Sequence, residues 1–383
     1  MAFNLTNILF ILIIFQLLFL SFFLFTQQKG KQAGNSLLGL FFLSICVNLF
    51  DVFLLDTGVY FTHPNFAGLG SCLPLLFGPL LYLYTKAVIY KNYPAGLKGL
   101  LHFLPFIIFF SGTEFYYLTL PKDVQERMLH NLFAHHVPGA ISIVTALIFI
   151  QFLFYSIASL CLVSLYKKTA TQLFSNPKRT DVSWLNTTII FFISVMVITT
   201  LNGVLAQTLL AKYFLIAFNL VILAVLVFVI QVLMKALRQS YFLSFAEQNE
   251  LTGKPFPPLK ANANPEEKSE KEKIVQIILQ YVQTNKPYLD PELTLDQLAS
   301  QLSLKPRLLS QAINEIRQQT FFDFINHFRI DEATRLLTNP KDKKITILEV
   351  LYKVGFNSKS SFNTLFKKYT GLTPTEFRQK QGQ

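Results

Sequence analysis

Apolar residues cluster in seven long runs over the first 240 positions, and short polar segments separate these runs. The runs lie at about 5–25, 36–55, 69–89, 100–118, 139–165, 184–209 and 214–234. A helix needs about 17–25 mostly apolar residues to cross the ~30 Å hydrocarbon core of a bilayer, so the pattern predicts seven transmembrane helices within residues 1–240. The fourth run is the least regular, because Glu114 interrupts it. Lipid offers no partners for backbone groups, so each helix is expected to be continuous, and bent at Pro74, Pro79 and Pro105.

The pattern changes after position 240. Residues 241–273 contain Gly253 and four prolines, which interrupt helices, and then the charged run EEKSEKEK. About thirty flexible residues span on the order of 30 Å, so this segment predicts a linker that holds the rest of the chain near the membrane. Residues 266–273 are open to a second interpretation, in which they begin the helix that follows.

Residues 274–383 have the periodicity of a small helical domain. Their first apolar positions follow the i, i+3, i+4, i+7, i+8 spacing of one helix face: Ile274, Ile277, Ile278, Tyr281 and Val282. A segment of about 110 residues is large enough to bury one hydrophobic core. The sequence therefore predicts a soluble α-helical domain after the linker.

Two short helices joined by a tight turn are predicted next. Thr294 suits the N-cap of the first helix, and Gln297 three residues later completes a capping box. Pro306 suits the first position of the second helix, because the N–H that proline lacks has no intrahelical partner there. Two short helices about a tight turn form a helix-turn-helix, whose second helix enters the major groove of DNA.

The same arrangement recurs nearer the C-terminus. Residues 321–339 have the pattern of a longer linking helix, and ITILEVLYKVGF then predicts another short helix. Gly355 permits the turn that follows, and Ser358 suits the cap of a last exposed helix over KSSFNTLFKKYTG. Phe362 and Phe366 face inward at a spacing of i and i+4. The sequence thus predicts a second helix-turn-helix.

Together these segments resemble the C-terminal DNA-binding domain of AraC/XylS-type transcription regulators. The matching motifs lie within residues 293–378 and are LTLDQLA, LLSQAIN, FFDFINHFRIDEATRLL and VGFNSKSSFNTLFKKYTGLTPTEFR. The resemblance covers under a quarter of the chain and implies a seven-helix domain with two helix-turn-helices, which bind successive major grooves on one face of DNA. One departure is Lys305, where family members often have a small capping residue such as Ser. The expected fold class is all-α, a polytopic membrane bundle of about seven spans followed by a soluble double helix-turn-helix domain.

The resemblance also implies which side chains contact DNA. Base readers are expected on the second helix of each unit: Arg307, Ser310, Gln311 and Asn314 in the first, and Lys359, Ser360, Asn363 and Thr364 in the second. Arg and Lys donate to guanine, whereas Gln and Asn pair with adenine. Lys367, Lys368 and Arg378 are expected to bind phosphates, which position a protein without specifying a sequence. For any single residue of this set, a solvated polar face is an equal alternative.

Composition divides the chain at the same place. Apolar residues make up 52% and charged residues 15%, with forty Phe, which is too apolar for an ordinary soluble protein. From Lys305 onward, fourteen Lys and Arg stand against seven Asp and Glu, which agrees with an anionic partner such as DNA. Lysines in the predicted membrane loops nevertheless account for part of the net charge of +12.

Charged residues between the predicted spans indicate the orientation, because Lys and Arg are retained on the cytoplasmic side. One set of alternate loops holds eleven of them: Lys29, Lys31, Lys86, Lys91, Lys98, Lys167, Lys168, Lys178, Arg179, Lys235 and Arg238. The other set holds only Lys122, Arg127 and Lys212. The pattern predicts a multi-pass protein of the bacterial cytoplasmic (inner) membrane, with its N-terminus outside and residues 274–383 in the cytoplasm, where DNA is.

The membrane part offers three candidates for signal sensing. Asn48 and Asp51 lie in the second predicted span and Glu114 near the end of the fourth, and an ionisable group inside a span marks a functional site by default. Asp51 also lies near the outer end of its span, so a side chain that simply reaches interfacial water remains an alternative. One outer loop is rich in potential metal ligands but has no recognisable ligand spacing, so no metal site is predicted: Asp123, Glu126, His130, His135 and His136.

Sequence motifs give no indication of an enzyme or of a cofactor. The chain has no Walker loop, HExxH or GxSxG motif, and its three cysteines all fall in predicted spans. The sequence predicts a membrane-bound one-component transcription regulator that binds double-stranded promoter DNA, contacts membrane lipid and responds to an extracytoplasmic or lipid-phase signal. Homodimerisation is expected from family habit. Two alternatives stay open: a membrane transporter with a regulatory tail, and a membrane receptor whose C-terminal tail binds a protein.

Overall fold

The computed structural model of the chain is almost entirely helical. The structure describes residues 5–27, 32–90, 97–133, 139–175, 182–205, 213–238, 265–338 and 345–381. These residues contain no β-strand, so the predicted all-α class is confirmed. The chain divides into two compact units, of which the first comprises Met1–Ser164 and Val182–Gly253 and the second Leu165–Asp181 and Lys254–Gln383.

Most helices of the first unit follow the predicted apolar runs, and one more polar helix, Lys122–Phe133, lies between the fourth and fifth runs. They are α1 Leu5–Thr26, α2 Gln32–Asp56, α3 Pro74–Ile89, α4 Leu97–Leu100, α5 Leu104–Thr119, α6 Lys122–Phe133, α7 Gly139–Leu173, α8 Ser183–Leu205 and α9 Phe214–Arg238. Among the described residues of this unit, short 3₁₀ turns lie at Val59–Phe61, Pro64–Phe66 and Leu101–Phe103. Because α7 runs to Leu173, its last residues belong to the second unit.

Six helical segments among the described residues are long and apolar enough to cross a membrane. They are Leu5–Thr26, Ala33–Asp56, Leu101–Thr119, Ile143–Leu173, Ser183–Gly203 and Leu215–Val232. The third predicted run is shorter than expected, because α3 begins only at Pro74 and has 16 residues, about 24 Å at 1.5 Å per residue. Contrary to expectation, Pro74 and Pro105 do not bend continuous helices. Both occupy the first turn of a helix, where proline is favoured, and Pro79 alone of the three lies inside one.

Polar contacts and small residues bring the helices of the first unit together. Helix α1 packs against α2 and α9, and α2 packs against α3. The Ser21 hydroxyl of α1 donates to the Gly39 carbonyl of α2 at 2.9 Å, and a Cβ atom at Gly39 would lie 2.9 Å from the ring of Phe25. The Thr6 hydroxyl donates to the Asn219 side-chain oxygen of α9 at 3.0 Å. Glycine at position 39 therefore permits the close approach of the first two helices.

Large apolar side chains remain exposed on the outside of the first unit. Phe15 and Phe22 of α1 are 67% and 65% exposed, Phe115 of α5 is 73% exposed and Phe154 of α7 is 69% exposed. Monomeric soluble proteins rarely expose contiguous apolar surface on this scale. The outer surface of this unit therefore suits an apolar environment better than water.

The second unit contains seven α-helices among its described residues after position 264, the number that the resemblance implies. They are α10 Pro265–Asn285, α11 Leu295–Gln301, α12 Pro306–Arg317, α13 Phe321–Thr338, α14 Ile347–Lys353, α15 Lys359–Thr370 and α16 Pro374–Gln381. Of the two interpretations of residues 266–273, the structure has the helical one. The predicted linker from 241 to 264 lies outside the described residues.

Side-chain hydrogen bonds to backbone N–H groups fix where these helices begin. Thr294 and Gln297 form the predicted capping box at α11, and α14 begins with an equivalent box. In that box Thr346 donates to Glu349 from its backbone N–H at 2.7 Å, and this bond holds the pKa of Glu349 below its ordinary value. Helix α12 begins at Pro306 as predicted, although its N-cap, Lys305, makes no side-chain cap bond.

The linking helix α13 contributes to two separate hydrophobic cores. The first core joins α10, α11 and α12 to Phe321, Phe324 and Ile325 of α13. The second core joins α14 and α15 to Ile330, Ala333 and Leu337 of the same helix. Asn326 and Arg329 are fully buried in the stretch of α13 between these two sets. One continuous helix therefore carries both helix-turn-helix units.

We expect Thr346→Ala to loosen α14, because the change removes the hydroxyl that accepts from the Glu349 N–H and leaves only the backbone half of the capping box. The loss of such a cap costs about 1 kcal/mol, so the α14 amides of the full-length protein should exchange with deuterium about fivefold faster. Thr375→Ala, at an exposed position of α16, is the matched control and should leave α14 unchanged. Equal exchange of α14 in the wild type and in Thr346→Ala would contradict this account of the helix start.

Candidate nucleic-acid interface

The first helix-turn-helix consists of α11, a short turn and α12. Ser303 in the turn has a φ of 55°, in the left-handed region. Helix α12 then buries Leu309, Ala312 and Ile313 in the first core. These positions leave Arg307, Gln311 and Asn314 together at i, i+4 and i+7 on the opposite face, with Arg307 exposed and the other two half-buried. The structure thus brings three of the four predicted base readers of this unit onto one stripe.

Ser310 differs from the other predicted base readers of α12. Its side chain is only 7% exposed, and its Oγ atom accepts a hydrogen bond from the Asn314 side-chain amide at 3.3 Å. Ser310 lies on the flank of the helix, between the outward stripe and Ile313, where apolar spacing alone does not decide the side. In this structure Ser310 holds Asn314 in place and does not present its hydroxyl outward.

The turn of the second helix-turn-helix requires glycine at position 355. Gly355 has a φ of 87°, which disfavours residues with a Cβ atom. A Cβ atom built there would lie 2.6 Å from the Tyr288 carbonyl oxygen and 2.8 Å from that of Leu289. Gly371 at the end of α15 has a similar φ of 78° but no atom within 4 Å of such a Cβ. Gly355 therefore provides both the turn and the close approach of the turn to the residues before α11.

Helix α15 presents a polar face as predicted. Ser358 caps it by accepting a hydrogen bond from the Ser361 N–H at 3.4 Å, and Phe362, Leu365 and Phe366 are buried on its inner side. The predicted base readers lie on the other side. Lys359, Ser360 and Thr364 are exposed, and Asn363 is half-buried. All four of these side chains are accessible from one side of the helix.

The three predicted phosphate ligands are in different environments. Lys367 is exposed at the C-terminal end of α15. Lys368 forms a salt bridge of 3.1 Å with Asp323 of the linking helix, so its ammonium group already has an anionic partner. Arg378 of α16 is half-buried, and one of its guanidinium nitrogens is buried with no hydrogen-bond partner within the described residues. Lys367 is therefore better placed than Lys368 to bind a phosphate.

Sequence reasoning missed Arg329, which is only 1% exposed and is the largest fully buried side chain among the described residues of the second unit. Its guanidinium donates to the carbonyl oxygens of Tyr288 and Asp290, each at 2.7 Å. It also lies over the ring of Phe356, 5.6 Å from the centroid. Burial lowers the pKa of Arg329 to about 10. The sequence signal of this role was its spacing, because Arg329 lies four residues after Ile325 and four before Ala333, on the inward side of the linking helix.

The three predicted sensing residues lie near one another in the first unit. Asp51 accepts a hydrogen bond of 2.6 Å from the Tyr60 hydroxyl, and Asn48 donates to the Gly70 carbonyl at 3.0 Å. A Cβ atom at Gly70 would overlap the Asp51 side chain. Glu114 is close enough to interact with Asp51 electrostatically. Burial and the bond to Asp51 raise the pKa of the Tyr60 hydroxyl, which keeps it a donor.

Metal ligands are not grouped in the described part of the chain. No set of three or more His, Cys, Asp or Glu side chains there is arranged to hold a metal ion. His135 and His136 of the predicted outer loop lie outside the described residues.

Comparisons with known proteins concern the second unit. Residues 298–380 match a family described as "Helix-turn-helix domain". The chain is 32% identical over 95 residues to the transcriptional regulatory protein YesN of Bacillus subtilis. The aligned region covers 24% of this chain and 25% of that protein. The chain is 29% identical over 90 residues to the melibiose operon regulatory protein of Escherichia coli. This alignment covers 24% of this chain and 29% of that protein. The chain therefore spans about a quarter of the length of these relatives.

One solved structure is also similar to this part of the chain. It is the C-terminal domain of the two-component response regulator yesN from Fusobacterium nucleatum, at 30% identity and a TM-score of 0.24. The match covers 29% of this chain and 98% of that domain. The match to the helix-turn-helix family and to the two regulators confirms the resemblance found from the sequence motifs.

We expect Gly355→Ala to disrupt the second unit and Gly371→Ala to destabilise it mildly. Both changes force alanine into the left-handed region, at about 1–2 kcal/mol, but only the first also pushes a methyl group into two carbonyl oxygens, which adds about 1–3 kcal/mol. Thermal unfolding of the second unit, followed by hydrogen exchange in the full-length protein, measures the difference. Equal destabilisation by the two changes would mean that Gly355 serves the turn alone.

Proposed function

We propose that the chain is a membrane-bound, one-component transcription regulator, whose AraC-type helix-turn-helix domain binds DNA. Residues 1–240 sense a signal, residues 241–273 connect, and residues 274–383 bind promoter DNA. The observation that carries the proposal is the presence, in one chain, of two outward polar recognition helices and six apolar helices of membrane-spanning length. The proposal includes no enzymatic activity.

The exposed apolar surface of the first unit supports its insertion in a bilayer. The segment Leu101–Thr119 has none of its residues buried within the unit, and Phe115 of this segment is 73% exposed. In water such a helix would leave its apolar side chains solvated, whereas in lipid the same side chains are in a favourable medium. This argument supports a membrane location for the first unit.

Two independent features support a cytoplasmic location for the second unit. Most of the loop Lys and Arg residues fall on the side of the membrane that would hold the DNA-binding domain. Ser175, in the predicted inner loop between α7 and α8, hydrogen-bonds with Leu293 beside α11, within the second unit. A loop that contacts this domain must lie on the same side of the membrane as the domain.

The DNA contacts that we propose follow the exposed faces of α12 and α15. Arg307, Gln311 and Asn314 read bases in one major groove, and Ser310 supports Asn314. The second groove is read by the outward side chains of α15: Lys359, Ser360, Asn363 and Thr364. Lys367 and Arg378 bind phosphates. Polar faces of this kind favour DNA over a protein partner, whose binding surface would be expected to meet apolar residues.

The signal enters, in this proposal, through the first unit. Asp51, Asn48 and Glu114 are its candidate sensing residues, because two carboxylates lie close together beside buried polar groups. An extracytoplasmic or lipid-phase signal that alters the ionisation or hydration of this cluster would act on the same helices that lead to the second unit. Two copies of the chain acting as a homodimer would bind two adjacent DNA sites.

Genome-wide crosslinking of the full-length protein to DNA tests the proposal directly. We expect discrete promoter peaks, with the protein recovered in the membrane fraction. A variant that carries both Arg307→Ala and Lys359→Ala is the control and should lose the peaks while it stays in the membrane. A transporter or a protein-binding receptor would give no discrete peaks, and that result would overturn the proposal.

Substitutions in the two recognition helices should separate base reading from phosphate binding. We expect Gln311→Ala and Asn363→Ala to change base preference at one position by about tenfold, because a good bidentate contact discriminates by about 1–3 kcal/mol. Lys367→Ala should instead weaken binding to all sites alike and lower the salt slope by about 1. Binding to a panel of DNA sites at several salt concentrations gives both quantities.

Lys368→Ala is the matched control for Lys367→Ala, because the neighbouring lysine is already paired with Asp323. We expect its salt slope to stay closer to that of the wild type. If the Gln311, Asn363 and Lys367 variants all shift affinity uniformly over the panel, the assignment of base readers is wrong.

A further inference from the structure

A short segment at the end of α7 is packed within the second unit, to which it belongs. Leu173 packs against the first core, Phe174 forms an isolated antiparallel bridge with Thr294, and Ser175 is only 1% exposed. The Ser175 hydroxyl donates to the Leu293 carbonyl at 2.7 Å. Three consecutive residues of the predicted inner loop are therefore held at the start of the first helix-turn-helix.

Arg329 and Asn326 of the linking helix hold the same segment from the other side. Arg329 donates to the Ser175 carbonyl at 3.3 Å and to its hydroxyl at 3.0 Å. The Asn326 side-chain amide donates to the Ser175 carbonyl at 3.0 Å. Both backbone and side chain of Ser175 are thus bound by buried polar groups.

The buried charge of Arg329 makes this contact important for stability. Its hydrogen bonds go to the carbonyls of Tyr288 and Asp290, to the Asn326 side chain and twice to Ser175. No carboxylate within the described residues forms a salt bridge with it. A buried charged group that loses hydrogen-bond partners is strongly unfavourable. If the segment withdraws, Arg329 loses two of these bonds and the linking helix must adjust.

The segment lies between the two DNA-reading units. Leu293 and Thr294 immediately precede α11 of the first unit. On the other side, Ser175 lines a small cavity together with Arg329, Phe356, Asn357 and Ser358, and the last of these caps recognition helix α15. Ser175 therefore lies beside the starts of helices in both units.

We propose that residues 173–175 act as an internal ligand of the DNA-binding domain, through which the membrane unit sets the relative arrangement of its two helix-turn-helices. This internal ligand is a short extended segment with one small hydroxyl side chain, that of Ser175. The inference rests on the proposed function, because it assumes that the first unit inserts in the membrane and that the second unit binds DNA. The inference adds a route from the first unit to the second. This route runs through the end of α7 as well as through the linker after α9.

Disulfide trapping tests the contact in the full-length protein in native membranes. Paired residues of an antiparallel bridge have Cα atoms about 4.5–5.5 Å apart, which suits a disulfide. With Cys46, Cys72 and Cys161 replaced by Ala, we expect Phe174→Cys with Thr294→Cys to crosslink under a mild oxidant. Phe174→Cys with Thr346→Cys is the matched control, because Thr346 caps the equivalent helix of the second unit. Equal crosslinking of the two pairs would overturn the contact.

A second measurement tests the coupling without a crosslink. Ser175→Ala removes the hydroxyl bonds to Arg329 and Leu293, so amides in residues 288–294 and 354–358 should exchange about fivefold faster in the full-length protein. Ser300→Ala, at an exposed position of α11, should leave both stretches unchanged. Faster exchange confined to 288–294 would mean that the segment affects only the first unit and would overturn the bridging role.

DNA binding separates this inference from the proposed function. The trapped pair should differ from its reduced form in promoter affinity by at least about fivefold, as coupled sites typically do. A difference below about twofold would overturn the regulatory role of the segment. Absence of crosslinking with promoter peaks intact would remove this inference alone, whereas loss of all promoter binding in the unaltered protein would remove the proposed function.

Discussion

The buried guanidinium of Arg329 is the constraint on which the second unit depends. A charge removed from water is stable only when its donors are satisfied, and each hydrogen bond to a charged group contributes about 1.5–3 kcal/mol. Arg329 forms hydrogen bonds with the turn before α11, with its own helix and with Ser175. Its guanidinium also lies over the ring of Phe356 in the second helix-turn-helix. Segments far apart in sequence must therefore assemble together or leave this charge unpaired.

This arrangement assigns different tasks to residues of the same chemical type. Arg307 is exposed and free to contact a base, whereas Arg329 organises the protein interior. Lys367 extends into solvent, whereas the ammonium group of Lys368 ties α15 to the linking helix through Asp323. The orientation of the second recognition helix thus depends on polar contacts as well as on its apolar side. DNA recognition by two helices requires such fixed orientation, because both must fit their grooves at once.

Local signals allowed much of the second unit to be predicted from sequence. The capping pair Thr294 and Gln297 and the helix start at Pro306 lie within a few residues of what they determine. The apolar spacing of α15 likewise separates its buried side from its polar side. These features depend on neighbours along the chain, which a single sequence displays.

Features that depend on distant partners were not predictable in the same way. The pairing of Lys368 with Asp323 joins residues 45 positions apart, and that of Arg329 with Ser175 joins residues 154 positions apart. The burial of Ser310 follows from its flank position, which helical spacing leaves undecided. In the first unit, the late start of α3 follows from the turns before it, and hydropathy does not register these turns.

The short α3 changes the depth at which the first unit places its polar groups. Gly70, in the connection that leads into α3, meets Asn48 of α2, and Asn48 lies eight residues before the last residue of α2, Asp56. At 1.5 Å per residue the connection returns by about 12 Å alongside α2. In the membrane location that we propose, this connection would be a re-entrant segment, which lipid tolerates only where protein covers it. The Gly70 carbonyl and the Asp51 carboxylate would then lie within the thickness of the membrane, at a level that an ordinary surface loop does not reach.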